Sequence, residues 1–174
     1  MIKQVYEYTS KFGLLLLCVV LFVTAQPNII RPGKGIGPVR IGDTVVNAIR
    51  LSGWKSPAIK VVSAGAANKI YYLDYKKDQI VLAVLKKDPV DFKKCTLDTI
   101  IITNPIFVID ETGERAGGEY QPDNHPKEWR VSDGSTEKKQ YFKAIGIMYS
   151  IDSTNKIIEY IAVFKPNTAS QKQN

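Results

Sequence analysis

The sequence predicts an α+β fold, an antiparallel sheet carrying one short helix, with a degenerate tandem repeat of a helix-plus-three-strand unit. Three observations lead there. Runs rich in Ile, Val and Tyr recur over residues 69–75, 79–85, 97–103, 141–151 and 156–164, with turn-forming residues between them. One segment alone, ending near Leu51, sets Val45, Ala48, Ile49 and Ser52 at three- and four-residue steps, a narrow helical face. Finally, 174 residues that are 44% hydrophobic and 24% charged suffice for one core. That composition excludes disorder throughout, collagen-like repeats and a polytopic membrane protein.

Residues 1–25 read as a secretory signal peptide. Lys3 and Lys11 give a basic start, Gly13 to Val23 is uninterruptedly apolar, and Val23-Thr24-Ala25 offers a cut before Gln26. The apolar stretch is shorter than the roughly 20 residues a spanning helix needs. Leu15-Leu16-Leu17 before Cys18 lack the small residues of a lipid-attachment signal. Export to the periplasm or the exterior is therefore expected, with residues 26–166 as a single domain. After cleavage Cys95 is the sole cysteine, so no internal disulfide supports the fold. The full chain carries a formal charge of +7, and losing Lys3, Lys11 and Glu7 lowers it by one. This excess favours solubility and contact with acidic surfaces such as an anionic membrane, while export argues against nucleic acid.

Gly33-Lys34-Gly35-Ile36-Gly37 leads into a short strand. It is no phosphate cradle: Gly35 follows Lys34 where Ser or Thr is needed, and Pro38 takes the third glycine position of the dinucleotide fingerprint. Thr44, or Asp43 before it, caps the helix, and Gly53 supplies a left-handed stop. The unbroken run 80–85 suggests a central strand covered on both faces, after a turn at Lys76-Lys77-Asp78. Residues 141–151 and 156–164 form a hairpin across Asp152-Ser153-Thr154-Asn155. Residues 111–139 read as a long polar loop, and residues 167–174 as a disordered tail.

Pro38-Val39-Arg40-Ile41-Gly42-Asp43 lines up with Pro105-Ile106-Phe107-Val108-Ile109-Asp110 at an offset of 67, which also joins Tyr75-Lys76 to Phe142-Lys143 and Ile80 to Ile147. After a six-residue difference, Leu97 to Ile100 meet Ile158 to Ile161, and Pro105 meets Pro166. Two half-repeats, about 36–105 and 105–166, follow. The second lacks a helix, because Gly113, Gly117 and Gly118 would each cost about 1 kcal/mol there relative to Ala.

Gly35-Ile36-Gly37-Pro38 through Gly42-Asp43-Thr44 to Gly53, followed by three strands, resembles the opening of small exported bacterial domains. These are the outer-membrane assembly lipoproteins of the SmpA/OmlA (BamE-like) type, related in fold to β-lactamase inhibitory protein. Asp43 stands where that family has Met, Ser52 replaces its last Leu, and its lipid-attachment Cys is missing. The resemblance covers residues 35–105. It implies a helix packed on an antiparallel sheet and a binding role without catalysis, and carries over no specific partner.

Little chemistry is written in the chain. His125, the only imidazole, sits in Asp123-Asn124-His125-Pro126, and its spacing to Glu128 fits no zinc or EF-hand pattern. It is expected to be a solvated loop residue. Cys95 is expected to be a small hydrophobe rather than half of a Cys–His pair, and Asp110, Glu111 and Glu114 to solvate the glycine loop. Lys76 and Lys86 flank one strand and stand roughly 30 Å apart, so only Lys86, Lys87, Lys93 and Lys94 can share one end. A loop as long as 111–139 is usually functional or disordered. Tyr120 and Trp129 in it are candidate exposed binding anchors; for Trp129 the alternative is that it folds back to cover the sheet edge or the site left by the missing helix. The expected function is an exported, non-enzymatic binding module for a protein or envelope partner, with Tyr120, His125, Trp129 and the four lysines as its contact residues. The alternatives are a small hydrolase using the 110–129 loop and a purely structural surface protein. No cofactor, metal or catalytic residue is expected.

Overall fold

The computed structural model describes residues 28–53, 58–63, 68–87 and 95–167. The segments read as signal peptide and tail lie outside the described residues, apart from Asn167. Among the described residues no helix is long and apolar enough to cross a membrane.

A short meander opens the fold: β1 (Ile29–Arg31), β2 (Gly35–Ile36) and β3 (Val39–Arg40). It forms a small sheet of order β3-β2-β1-β8, in which β8 (Val108–Ile109) runs parallel to β1. Next comes the helix α1 (Val45–Ser52). Its start and stop are those the sequence implies: Thr44 accepts the Asn47 N–H, and Gly53 closes the helix at φ 66°.

The main sheet is seven-stranded, of order β4-β5-β6-β7-β11-β10-β9, and antiparallel throughout. Its strands are β4 (Ala58–Ser63), β5 (Asn68–Tyr75), β6 (Ile80–Lys87), β7 (Thr99–Ile102), β9 (Lys139–Phe142), β10 (Ile147–Ile151) and β11 (Ile158–Phe164). The expected strand over 141–151 is thus two, β9 and β10. Gly146 breaks the run at φ 76°, a conformation glycine adopts without steric cost.

Register places one row of apolar side chains across six strands: Leu73, Leu82, Ile100, Val163, Ile147 and Phe142. All six are buried, with Val45 and Ala48 of α1 and Ile30, Ile36, Val39 and Ile109 of the small sheet in the same core. Helix and small sheet therefore cover this face of the main sheet. The opposite face carries the row Asp74, Val81, Ile101, Ala162, Met148 and Tyr141. Val81, Ile101, Met148 and Tyr141 each retain partial solvent exposure. The run 80–85 is central but not equally covered on its two sides.

The two halves of the sheet share a register. Adding 67 to β5 and β6 residues and 61 to β7 residues converts the β5·β6 pair Tyr75–Ile80 into Phe142–Ile147, and the β6·β7 pair Ile80–Ile102 into Ile147–Val163. The flanking backbone bonds follow. Thr103 N–H donates to Gln79 and Phe164 N–H to Gly146; Asp78 N–H donates to Tyr75 and Ile145 N–H to Phe142. One sequence alignment is corrected. Val45 N–H donates to Cys95 and Gly42 N–H to Leu97, while Tyr120 N–H donates to Lys156 and Gly117 N–H to Ile158. The backbone bonds of residues 40–45 are therefore reproduced by Arg115–Tyr120, an offset of 75, and not by residues 107–112. Residues 105–110 instead lead into and form β8, beside β1.

Candidate functional site

Segment 111–129 is not an open loop. Gly113, at φ 73°, turns the chain so that Ile109 N–H donates to the Glu114 carbonyl, and this reversal carries Glu114 inward. The bonds of Gly117 and Tyr120 then lay the chain along the start of β11. A single 3-10 turn, Pro122–Asn124, follows. It brings His125 back over Tyr149, and Trp129 N–H closes a further turn on Pro126.

These turns build a closed polar node. Glu114 is 6% exposed, and its carboxylate accepts four bonds. Oε2 receives His125 Nε2 at 2.9 Å, the Tyr149 hydroxyl at 2.7 Å and the Thr112 hydroxyl at 3.1 Å, and Oε1 receives the Gln121 N–H at 3.0 Å. An ionised carboxylate can only accept, so Nε2 of His125 carries the proton in this contact. The imidazole stacks on Tyr149, with centroids 5.5 Å apart and 16° between planes. Tyr120, Trp129 and Phe142 surround it at 5.4, 5.2 and 5.1 Å.

Burial alone would push the Glu114 carboxyl up. The bonds from His125, the Gln121 amide and Tyr149 outweigh it and hold the group below its ordinary value. The same anion acts on the phenols. Burial first, then the Glu114 charge, raises Tyr120 to about 12 and raises Tyr149 as well. Both hydroxyls therefore stay protonated donors at neutral pH.

Such an arrangement locks a chain segment and does little else. A general base needs a lone pair aimed at a substrate proton, whereas Oε2 of Glu114 already holds three donors. The imidazole is 5% exposed and enclosed by four rings, and neither tyrosine ionises readily enough to act as a nucleophile. Outside Glu114 a small cleft of about 170 Å³ is lined by Thr112, Gly113, Arg115, Gly118, Glu119 and Gln121. Among the described residues no group of three metal-ligating side chains converges.

No family model, curated protein or solved structure matches this chain. The site is therefore read from its own geometry.

Several expectations change. His125 is enclosed, not solvated, because eleven residues of turned chain return it to Glu114. Glu114 is buried, whereas Asp110 and Glu111 are exposed as expected. Of the two readings left open for Trp129, the structure shows the inward one, and Tyr120, expected as an exposed anchor, is likewise partly buried against the core. Cys95 is 1% exposed and sits in the core with α1, as expected of a small hydrophobe. Lys86 and Lys87 end β6, paired in register with Lys69 and Asn68. Lys93 and Lys94 lie outside the described residues. Sequence reasoning missed Glu114, Thr112 and Tyr149. The available signal was the density of rings and prolines, Tyr120, Pro122, Pro126 and Trp129, inside an otherwise polar stretch.

Proposed function

We propose that this chain is an exported, non-enzymatic binding module that docks a protein partner on the open face of its main sheet. The observation that carries the reading is the partly exposed row of Val81, Ile101, Met148 and Tyr141 on the face opposite the core. Flanking positions on that face add Tyr72, Phe164 and Tyr160, and aromatic residues dominate the energy of many interfaces. The saturated Glu114 carboxylate speaks against the alternative, a hydrolase working through residues 110–129. Tyr120, His125 and Trp129 serve binding indirectly, by holding the frame rigid.

The matching registers also favour descent of the two halves from one helix-plus-three-strand unit, in keeping with the resemblance to the SmpA/OmlA and β-lactamase-inhibitory-protein type. Export rests on the signal-like residues 1–25. An intact mass beginning at Gln26 is the expected result, and a retained Met1 or a lipid on Cys18 would contradict it.

The test is site-specific photo-crosslinking in the native envelope. A crosslinker at Ile101 or Met148 should capture a protein, Ile101→Lys should abolish the capture, and a probe at Glu128 should capture nothing. Capture at Glu128 alone would move the contact to the 111–129 segment. Capture of lipid alone would replace the protein partner with a membrane surface.

A further inference from the structure

The two edges of the main sheet are treated differently by the chain. At β9 the outward-pointing backbone groups are all satisfied from within. Lys139 exchanges two bonds with Thr136, and Tyr141 accepts from Ser132 N–H and donates to the Ser135 hydroxyl. Lys143 donates to the Ser132 hydroxyl and accepts from Asn167 N–H. That edge is sealed against further strands.

The corresponding groups of the first half, at Tyr72 and Asp74, are met instead by β4, which among the described residues has no counterpart beside β9. Adding β4 satisfies β5 but moves the open edge outward by one strand. The alternation of an antiparallel ladder says which groups are left. Thr103 N–H donates to Gln79, so Gln79 faces β7 and Ile80 faces β5. Tyr72 and Asp74 then face β4, pairing with Lys60 and Ala58. The N–H and C=O of Ile59, Val61 and Ser63 therefore point away from the sheet. Among the described residues no strand pairs with β4 on that side.

We infer that this edge pairs with the same edge of a second copy, β4 against β4 in antiparallel register about Val61, to form a closed dimer with one continuous sheet. Two features select a second copy over an unrelated strand. An antiparallel pair about a two-fold axis must keep each side chain on its own face, so the two residue numbers of each pair sum to an even number. Centring on Val61 sets Ile59 opposite Ser63 of the second copy and uses all six outward groups. Centring on Lys60 would use fewer and would set two lysines directly opposite one another, which is unfavourable. The second feature is the sealed β9 edge. With one edge of the main sheet open among the described residues, pairing through that sheet stops at two and cannot grow into a filament. Residues 58–63 also contain no proline, and their pairing with β5 shows no register shift. This inference uses the edge of the sheet and is independent of the docking role proposed for its face.

A ladder of this length is a small interface, so the dimer is expected to be reversible and dependent on concentration. Sedimentation equilibrium of the mature protein should show the mass rising toward twice the monomer's as concentration increases. Over the same range the amides of Ile59, Val61 and Ser63 should become slower to exchange. Val62→Lys places a lysine opposite Lys60 of the second copy and should shift the association to higher concentration with the melting temperature unchanged. Because that variant could also act through folding, a second measurement fixes the register. Lys60→Cys and Val62→Cys chains, mixed under mild oxidation, should give a dimer linked between positions 60 and 62, and neither chain alone should do so. A monomer at every concentration would overturn the inference. So would association that survives Val62→Lys without the 60–62 linkage, since it would belong to another surface.

Discussion

The two halves of the main sheet carry the same hydrogen-bond ladder on different fillings. In the first, α1 and the apolar residues Val39, Ile41, Val45, Leu73 and Leu82 cover the strands. At the matching positions of the second stand Glu114, Ala116, Tyr120, Gln140 and Tyr149. Where the first half has its helix, the second has a 3-10 turn and an imidazole inside an aromatic enclosure. The pairing of strands is thus indifferent to whether the covering layer is oily or polar, provided that every buried polar group finds a partner. A polar layer differs in its response to damage, because removing one member strands the others.

The largest effect is therefore expected at Glu114. Glu114→Ala leaves His125 Nε2, the Tyr149 hydroxyl and the Gln121 amide without their charged acceptor, and should cost about 4 kcal/mol, since each buried donor left unsatisfied costs about 1–3 kcal/mol. Val39→Ala at the matching position of the first half should cost about 2 kcal/mol, the transfer loss of a buried aliphatic group. Urea denaturation of both variants checks the ratio, and equal costs would mean that the polar node adds nothing beyond volume. The same carboxylate makes the second half sensitive to acid. Its folded value lies below the ordinary 4.5, so its stabilisation is complete above that value and is lost as pH falls through the folded one. The melting-temperature gap between the wild type and Glu114→Gln should accordingly shrink below pH 4.5 and hold constant above it.

Gly146→Ala comes next. A Cβ there would stand 2.2 Å from the Phe164 carbonyl and 2.7 Å from Gly33 Cα, at φ 76°. Overpacking and left-handed strain together should cost about 3 kcal/mol by thermal melting. Tyr149→Phe removes one donor from the charged Glu114 and should cost about 2 kcal/mol. It should also raise the Glu114 carboxyl, which NMR titration can follow. The smallest change is a gain. Gln79 occupies the matching turn position at φ 54°, so Gln79→Gly should relieve left-handed strain and stabilise by about 0.5 kcal/mol, after the entropy of glycine is subtracted from roughly 1 kcal/mol.

How much was legible follows from which signals are local. The long strands and α1 announce themselves through β-branched runs, the Thr44 cap and the Gly53 stop, all read within a few residues. The two-residue strands β2, β3 and β8 have no period to read, and residues 58–63 stand between stretches without strand character. Glu114 and His125 escape because a pair eleven residues apart across glycine turns follows neither a helical nor a strand period. Arg40-Ile41-Gly42 and Arg115-Ala116-Gly117 share a glycine at positive φ, 89° and 78°, a likeness legible in the sequence, whereas the prolines at 38 and 105 point to a different pairing of segments.

The central claim is that residues 111–129 form a bonded layer of the second half rather than a loop. Native-state hydrogen exchange tests it most directly, by comparing Gly117 and Tyr120 with Gly42 and Val45. These amides make matching bonds, to Ile158 and Lys156 in one half and to Leu97 and Cys95 in the other. The account predicts protection of all four, with Gly117 and Tyr120 losing theirs selectively in Glu114→Ala. Rapid exchange of Gly117 and Tyr120 in the wild type, while Gly42 and Val45 stay protected, would contradict it.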